Sequence, residues 1–377
     1  MTPWLTDGVV TLRPHAESDL AEMVAMATDP ESIERTTVPL DYDGATARHW
    51  ALEVVPAGWV NGSMWGWAIE ASDDSGAARF AGNVDIRLGT PPDLGFALAP
   101  WARGQGLTSR AVRLAARWAF DVGGLPVIHW AAHAGHLPSW RVAHATGFTF
   151  DGARPRSIAH RGELRDGWWG HLSAADTMTA RTAWRDPVVL EGDTVRLRPH
   201  HEADLERIVA ACSDERTRHW LAGLPAPYTL DAARDFVRGC RLGESLGTEV
   251  TWAVADRVTD VQLANIGLFD LADPMNPGSA EVGYWAHPDA RGRGVVSEAV
   301  RLVLGHAFAP EAGGGLARRR VQLVVSWENT ASRHIAEQAG FTLVGHHRAD
   351  GVLGDGSHDD GAWYDLLASE FLVRRSV

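Results

Sequence analysis

Two short runs in this 377-residue chain have residue types suited to holding a phosphorylated ligand. The clearer is Ala290-Arg291-Gly292-Arg293-Gly294-Val295-Val296-Ser297-Glu298-Ala299-Val300-Arg301, and its earlier counterpart is Ala102-Arg103-Gly104-Gln105-Gly106-Leu107-Thr108-Ser109-Arg110-Ala111-Val112-Arg113. Each follows an apolar strand pattern and opens a helical one. Gly292 and Gly294 allow a tight backbone turn with no Cβ in the way, so that successive N–H groups converge on a diphosphate at a helix start. Arg291 and Arg293 add charge that a diphosphate pairs with. A dinucleotide-binding turn would carry a third glycine where Ser297 and Ser109 stand, so that ligand class does not fit.

Such turns need a strand behind them and a helix ahead, and the chain supplies both twice. Leu12-Arg13-Pro14-His15 with Glu17, Asp19 and Leu20 returns as Leu197-Arg198-Pro199-His200 with Glu202, Asp204 and Leu205. Ala145-Thr146-Gly147-Phe148-Thr149 returns as Gln338-Ala339-Gly340-Phe341-Thr342. The spacing between copies grows slightly along the chain, as expected for one domain duplicated whole and then modified in its loops. Periodicity predicts strands at 9–13, 65–71, 81–88, 94–99 and 127–132, and helices at 17–27, 109–120 and 138–146. The second half repeats this order: strands at 195–198, 251–258, 262–270, 280–285 and 321–327, helices at 202–211, 297–308 and 330–339. The fold class is therefore mixed α/β. Each half is a largely antiparallel central sheet flanked by helices, with a strand-helix-strand-helix unit at its end. The boundary falls within residues 174–192, dividing the chain into domains 1–185 and 186–377.

Composition excludes several functions. A formal charge of −13 argues against a nucleic-acid partner and favours a cationic ligand. All 35 Lys and Arg residues are Arg, which removes a P-loop lysine and Schiff-base chemistry. Cys212 and Cys240 suggest no disulfide framework and stand in no base-paired motif, so a reducing cytoplasm fits and a covalent acyl-enzyme does not. With no leader and no apolar span, a soluble cytoplasmic protein is expected, without membrane contact. His129, His133 and His136 fall on a strand and loop, where their spacing does not converge on a metal, so no metal is expected. The 17 tryptophans, among them Trp65, Trp67, Trp168 and Trp169, are read mainly as core.

The later half resembles the GNAT superfamily of acyl-CoA-dependent N-acyltransferases, in its RimJ/RimL-like branch. The resemblance rests on Glu281-Val282-Gly283-Tyr284-Trp285, Arg291-Gly292-Arg293-Gly294, Asn329-Thr330-Ala331-Ser332, Gly340-Phe341 and Trp363-Tyr364-Asp365-Leu366-Leu367, and covers residues 190–375. The earlier half is similar in layout but eroded, with Asp93-Leu94-Gly95-Phe96 in the strand, His136 where Asn329 stands and Trp169 where Tyr364 stands. The sixth loop position, usually Gly or Ala in the family, is Thr108 or Val296, whose branched side chains crowd a ligand and favour a carrier-linked phosphopantetheine.

The resemblance implies a strand at 281–285 that splays from 321–327, leaving a cleft in which a pantetheine arm lies like an added strand. Arg291, Gly292, Arg293, Gly294, Val295, Val296 and Ser297 would hold the diphosphate end. Asn329 would hold the arm, and backbone groups near Trp285 and Ala286 would polarise the thioester carbonyl. Glu281 would take the proton from the incoming ammonium, with Asp350 as a second candidate base. Ser332 would protonate the departing thiolate, with Tyr364 as runner-up. Each has a plainer reading: Glu281 as a solvated edge carboxylate, Ser332 as a helix-start residue, Tyr364 as core.

The expected function is N-acyl transfer in the C-terminal domain, by direct attack, from acyl-CoA or a carrier-bound acyl-phosphopantetheine to a small-molecule amine. The N-terminal domain would support it and help form the acceptor cleft at the domain junction. An acyl carrier protein is an expected partner, and a monomer or homodimer the expected assembly. The alternatives are acetylation of a protein N-terminal amine, and a non-catalytic acyl-CoA-binding or resistance protein.

Overall fold

In a computed structural model, residues 2–375 are described, and the chain divides into two compact units, Met1–Arg181 and Thr182–Val377. Residues 182–185 fall with the second unit, where the Arg185 N–H donates to the Glu244 carbonyl.

Unit 1 runs β1 (Leu5–Thr6), β2 (Val10–Arg13), α1 (Leu20–Ala27), α2 (Pro30–Arg35), α3 (Gly44–His49), α4 (Val55–Asn61), β3 (Met64–Ser72), β4 (Ala78–Arg87), β5 (Asp93–Leu98), α5 (Leu107–Asp121), β6 (Val127–His133), α6 (Leu137–Ala145), β7 (Thr149–His160) and β8 (Glu163–Ser173). Unit 2 runs β9 (Leu190–Glu191), β10 (Val195–Arg198), α7 (Leu205–Ser213), α8 (Glu215–Trp220), α9 (Leu230–Leu246), β11 (Val250–Asp256), β12 (Gln262–Phe269), β13 (Ser279–Ala286), α10 (Val295–Phe308), β14 (Arg320–Ser326), α11 (Thr330–Ala339), β15 (Thr342–Val352), β16 (His358–Leu367) and α12 (Ala368–Arg375). Each unit is mixed α/β around one eight-stranded sheet, ordered β1-β2-β3-β4-β5-β6-β8-β7 and β15-β16-β14-β13-β12-β11-β10-β9. All neighbouring strands are antiparallel except β5 with β6 and β13 with β14.

The expected strands and helices occur with ends shifted by a few residues. The helices α2, α3, α4, α8, α9 and α12 had no expected counterpart, while the Trp363–Leu367 run lies in the last strand, β16. Residues 349–360 belong largely to the β15–β16 hairpin.

The duplicated Leu-Arg-Pro-His run has a structural cause. Pro199 ends β10, and Arg198 turns back to grip Asp204 through two hydrogen bonds of 2.8 and 2.9 Å, tying the strand to the start of α7. The Arg198 Nε also donates to Asp260 at 2.9 Å, and His200 meets Asn265 on β12 at 2.9 Å. Unit 1 repeats the device with Arg13, Asp19 and Glu70, and with His15 against Asn83. Burial pushes His200 down to about 4, so the ring is neutral at physiological pH.

Behind β13, α10 buries Ala299, Val300, Val303, Leu304 and Ala307 against the sheet. The larger of these contribute roughly 1.5–3 kcal/mol each, which fixes where this helix begins. In unit 1 the face of α5 is alanine-rich. The ring of Trp118 meets Trp59 and Trp65, with centroids 5.1 and 4.8 Å apart. Trp67 and Trp168 are buried in the core.

Asp204→Ala would leave the Arg198 guanidinium buried without its bidentate partner, and a loss of about 3–5 kcal/mol is expected. Thermal unfolding read as Tm measures it. A loss below about 1 kcal/mol, the size of an exposed ion pair, would show that the grip does not hold the strand to the helix.

Candidate active site

Strand β13 is hydrogen-bonded to β12 along its length, as far as Ala264 opposite Ala286. Its parallel pairing with β14 stops after Ser279, Ala280 and Glu281 meet Arg320, Val321 and Gln322. Beyond that rung β14 follows β16 instead, and the two strands part. A cavity of about 820 Å³ opens between them, lined by Tyr284, Trp285, Val325, Asn329, Ser332 and the glycine turn. Backbone groups on the freed edge of β13 have no strand partner, so an extended arm lying there would satisfy them.

The turn closes one end of the cleft. Gly292 and Gly294 have φ of 71° and 76°, the left-handed region where glycine costs least, and a Cβ at either would meet nothing within 4 Å. The N–H groups of residues 292–297 make no hydrogen bond among the described residues, and Glu298 is the first to donate back, to the Gly294 carbonyl. Free donors at the positive end of α10 make an anion site. Val295 is buried, while Val296 and Ser297 are half-buried on the cavity wall.

The arginines are used differently from the sequence expectation. Arg291 does not reach into the turn: its guanidinium donates to Asp214 and to Thr217 Oγ1 (2.8 Å) at the start of α8. The same Asp214 caps α8 by accepting the Thr217 N–H at 3.0 Å. The Arg291 bond, more than any other contact, holds the Asp214 carboxyl below its usual range. Arg291 thus ties the turn to α8. Arg293 is exposed and is not among the cavity-lining residues. Unit 1 repeats the tie, with Arg103 donating to Asp29 (2.7 Å), Glu31 (3.0 Å) and Ser32.

Alternation along β13 places Glu281, Gly283 and Trp285 on one face and Val282, Tyr284 and Ala286 on the other. Trp285 packs against the cluster built from α7 and α9, whereas Tyr284 reaches α11. Glu281 sits at the last paired rung, where the Gln322 amide donates to it at 3.4 Å. Burial, then the nearby Asp270 charge, raises its carboxyl above the ordinary value, and the Gln322 bond opposes the shift. Ser332 Oγ lies 2.8 Å from the Tyr284 hydroxyl, which burial pushes up to about 12. Asn329 caps α11 by accepting the Ser332 N–H at 3.2 Å, a bond that uses its side-chain oxygen. Glu281, Trp285, Ala286, Asn329 and Ser332 therefore share one cleft with the turn.

Two candidates lie elsewhere. The hydroxyl of the buried Tyr364 accepts from Arg333 at 3.2 Å and donates to Glu337 at 3.1 Å, and Tyr364 is not among the cleft-lining residues. Asp350, on the β15–β16 hairpin, accepts the Trp363 indole N–H at 2.6 Å and is likewise outside the cleft lining. Sequence reasoning had missed Tyr284 as the partner of Ser332 and Asp214 as the anchor of Arg291. Alternation along β13 offered a signal for Tyr284; the Asp214 contact spans a loop and had none.

A family model described as "Acetyltransferase (GNAT) domain" matches residues 10–149 and 194–342. The chain belongs to the GNAT acetyltransferase family. It is a GNAT-type N-acyltransferase that carries the domain twice. Among curated relatives, this GNAT protein is 34% identical over 183 residues to the protein named "Putative ribosomal N-acetyltransferase YdaF" of Bacillus subtilis, a match covering 48% of this chain and 95% of that one. It is 28% identical over 109 residues to "Ribosomal-protein-serine acetyltransferase" of Escherichia coli, covering 29% and 58%. A solved structure of the RimL ribosomal L7/L12 α-N-protein acetyltransferase with coenzyme A is 19% identical, covers 48% of this chain and 98% of that one, and superposes with a TM-score of 0.42.

Asp214→Ala removes both the Arg291 tie and the cap of α8. Coenzyme A affinity, measured by calorimetry, is expected to fall about tenfold, the equivalent of a charge-assisted hydrogen bond of about 1.5 kcal/mol. Unchanged affinity would show that the turn keeps its shape without α8.

Proposed function

We propose that the C-terminal unit transfers an acetyl group from acetyl-CoA to a primary amine presented by a protein chain. Family membership supports the reaction type, and the names of the two curated relatives favour a protein amine over a free small-molecule amine. The observation that carries the assignment to this unit is the junction of three features in one cleft: a freed strand edge, an unpaired run of N–H groups, and a carboxyl at the rung where the strands part.

The N–H groups of residues 292–297 grip the diphosphate, while Arg291 holds the turn in shape and adds only background charge. The pantetheine arm lies along the freed edge of β13, and the Asn329 side-chain amide steadies it. Backbone N–H groups near Trp285 and Ala286 polarise the thioester carbonyl. The ammonium approaches from the face of Glu281 and Trp285, and Glu281 takes its proton directly or through water. The neutral nitrogen then bonds to the carbonyl carbon. On the opposite face, Ser332 passes a proton to the sulfur as the C–S bond breaks. The second proton lost from nitrogen returns through water and the Tyr284 hydroxyl to Ser332, and Glu281 releases its proton to solvent, leaving the amide and a free thiol. Tyr364 and Asp350 have no part in this scheme, being bound elsewhere.

Glu281→Gln is expected to lower kcat by about 10²–10³-fold on peptides with a free N-terminal amine, while coenzyme A affinity is retained. A base must be ionised to act, so the rate of the unaltered enzyme should rise with pH through a Glu281 value above the ordinary carboxylate range. This acid limb should vanish in the variant. Thiol release measured against pH checks both. Equal rates and the same limb in the variant would remove Glu281 from the mechanism.

A further inference from the structure

The two sheets differ at one point beside the parting of their central strands. In unit 1, Asp85 on β4 faces Gly95 and Arg87 faces Asp93. At the equivalent place in unit 2, Gly267 faces Gly283 and Phe269 faces Glu281. A Cβ on Gly267 or Gly283 would run into the Phe269 ring, at 2.6 and 3.1 Å, so a phenyl fills that ground. A Cβ on Gly95 would instead lie 2.9 Å from both Asp85 carboxylate oxygens. Where unit 2 has a ring, unit 1 has a carboxylate.

That carboxylate is poorly neutralised. Its side chain is 15% exposed and accepts no hydrogen bond among the described residues. The Arg87 Nε stands 3.7 Å away, and this arginine is already bound to Asp93. Asp85 lines a cavity of about 630 Å³ whose walls include Tyr42, Trp50, Trp130 and Trp169. A separate cleft of about 730 Å³ runs from the Gly104–Gly106 turn and shares Phe96, Ala97, His136 and Ser139 with it. The parallel pairing of β5 with β6 ends after two rungs, at Leu94 and Trp130, so here too the strands part. As in unit 2, N–H groups at the turn, residues 104–109, make no hydrogen bond among the described residues. His136, standing where unit 2 has Asn329, lines both cavities, and Trp169, standing where unit 2 has Tyr364, lines the one that holds Asp85. Burial, with the charge of Asp93 adding and that of Arg87 opposing, raises the Asp85 carboxyl, as suits a group that takes up a proton.

We propose that the N-terminal unit is a second acyl-transfer site, in which Asp85 receives a primary ammonium carried on an aromatic body and takes its proton before attack. This goes beyond the function proposed for the C-terminal unit and does not rest on it. One ammonium proton passes to Asp85. The neutral nitrogen forms a bond to the thioester carbonyl carbon, and the C–S bond breaks with its electron pair going to sulfur. The second proton lost from nitrogen ends on the thiolate, giving the amide and a free thiol, and Asp85 returns its proton to water. Aromatic walls suit an arylalkyl ammonium through apolar contact and cation–π attraction.

The test uses the full chain carrying Glu281→Gln, so that the contribution of the C-terminal site is suppressed and failure of one reading is not taken for failure of the other. Acetyl-CoA is the donor; phenethylamine, tyramine and tryptamine are the probes. Amine-dependent thiol release is expected with at least one probe, and Asp85→Asn should cut its kcat/KM by about 100-fold or more. Coenzyme A titrated into the unaltered protein should bind with two equivalents per chain, a readout that does not depend on the variant folding. Absence of Asp85-sensitive release across the three probes, or binding of a single equivalent, overturns the proposal.

Discussion

The site depends on a parallel strand pair that is too short. Ser279, Ala280 and Glu281 are the only rungs β13 shares with β14, because each strand is held more extensively on its outer edge, β13 by β12 and β14 by β16 from Arg320 to Ser326. Two antiparallel ladders with diverging directions leave an inner edge whose backbone polar groups need a partner. The cleft is thus a consequence of topology, and the side chains around it adjust a gap that the ladders enforce. The Arg198–Asp204 grip and the face of α10 matter because they fix the ladders and the helix start relative to that gap.

Electrostatics in the cleft are arranged around backbone more than side-chain charge. Arg291 and Arg103 look like anion ligands in the sequence, yet each is neutralised by carboxylates at the start of a short helix. In the proposed function the attraction for a diphosphate therefore falls to the N–H groups and the end of α10, which do not depend on a flexible side chain finding its pose. The acid groups are likewise set by surroundings: Glu281 and Asp85 are both raised by burial, on different strands of their sheets.

Much of this was legible in the sequence. Alternation and glycine spacing located β13, the turn, α10 and α11 to within a few residues, since half-buried strands and amphipathic helices write their period directly. The repeated Leu-Arg-Pro-His run announced a duplication, although its work as a buried grip showed only once Asp204 was seen in place. Less was legible where a role depends on contacts across the chain. Asp214 gives no local sign that it will hold Arg291, and nothing around Tyr364 or Asp350 revealed that Arg333, Glu337 and Trp363 occupy their polar atoms. Asp85 reads as one polar residue in an alternating strand. Its distinction comes from Gly95 across the ladder and from the absence of a ring like Phe269.

Amide hydrogen exchange with and without coenzyme A tests most directly whether the parted strands receive the thioester arm. Slowed exchange is expected in residues 282–286 of the freed β13 edge and in 292–297 of the turn, with β9 to β11 unchanged. Protection confined to other segments, or none at saturating coenzyme A, would contradict the claim that the short parallel pair builds the binding site.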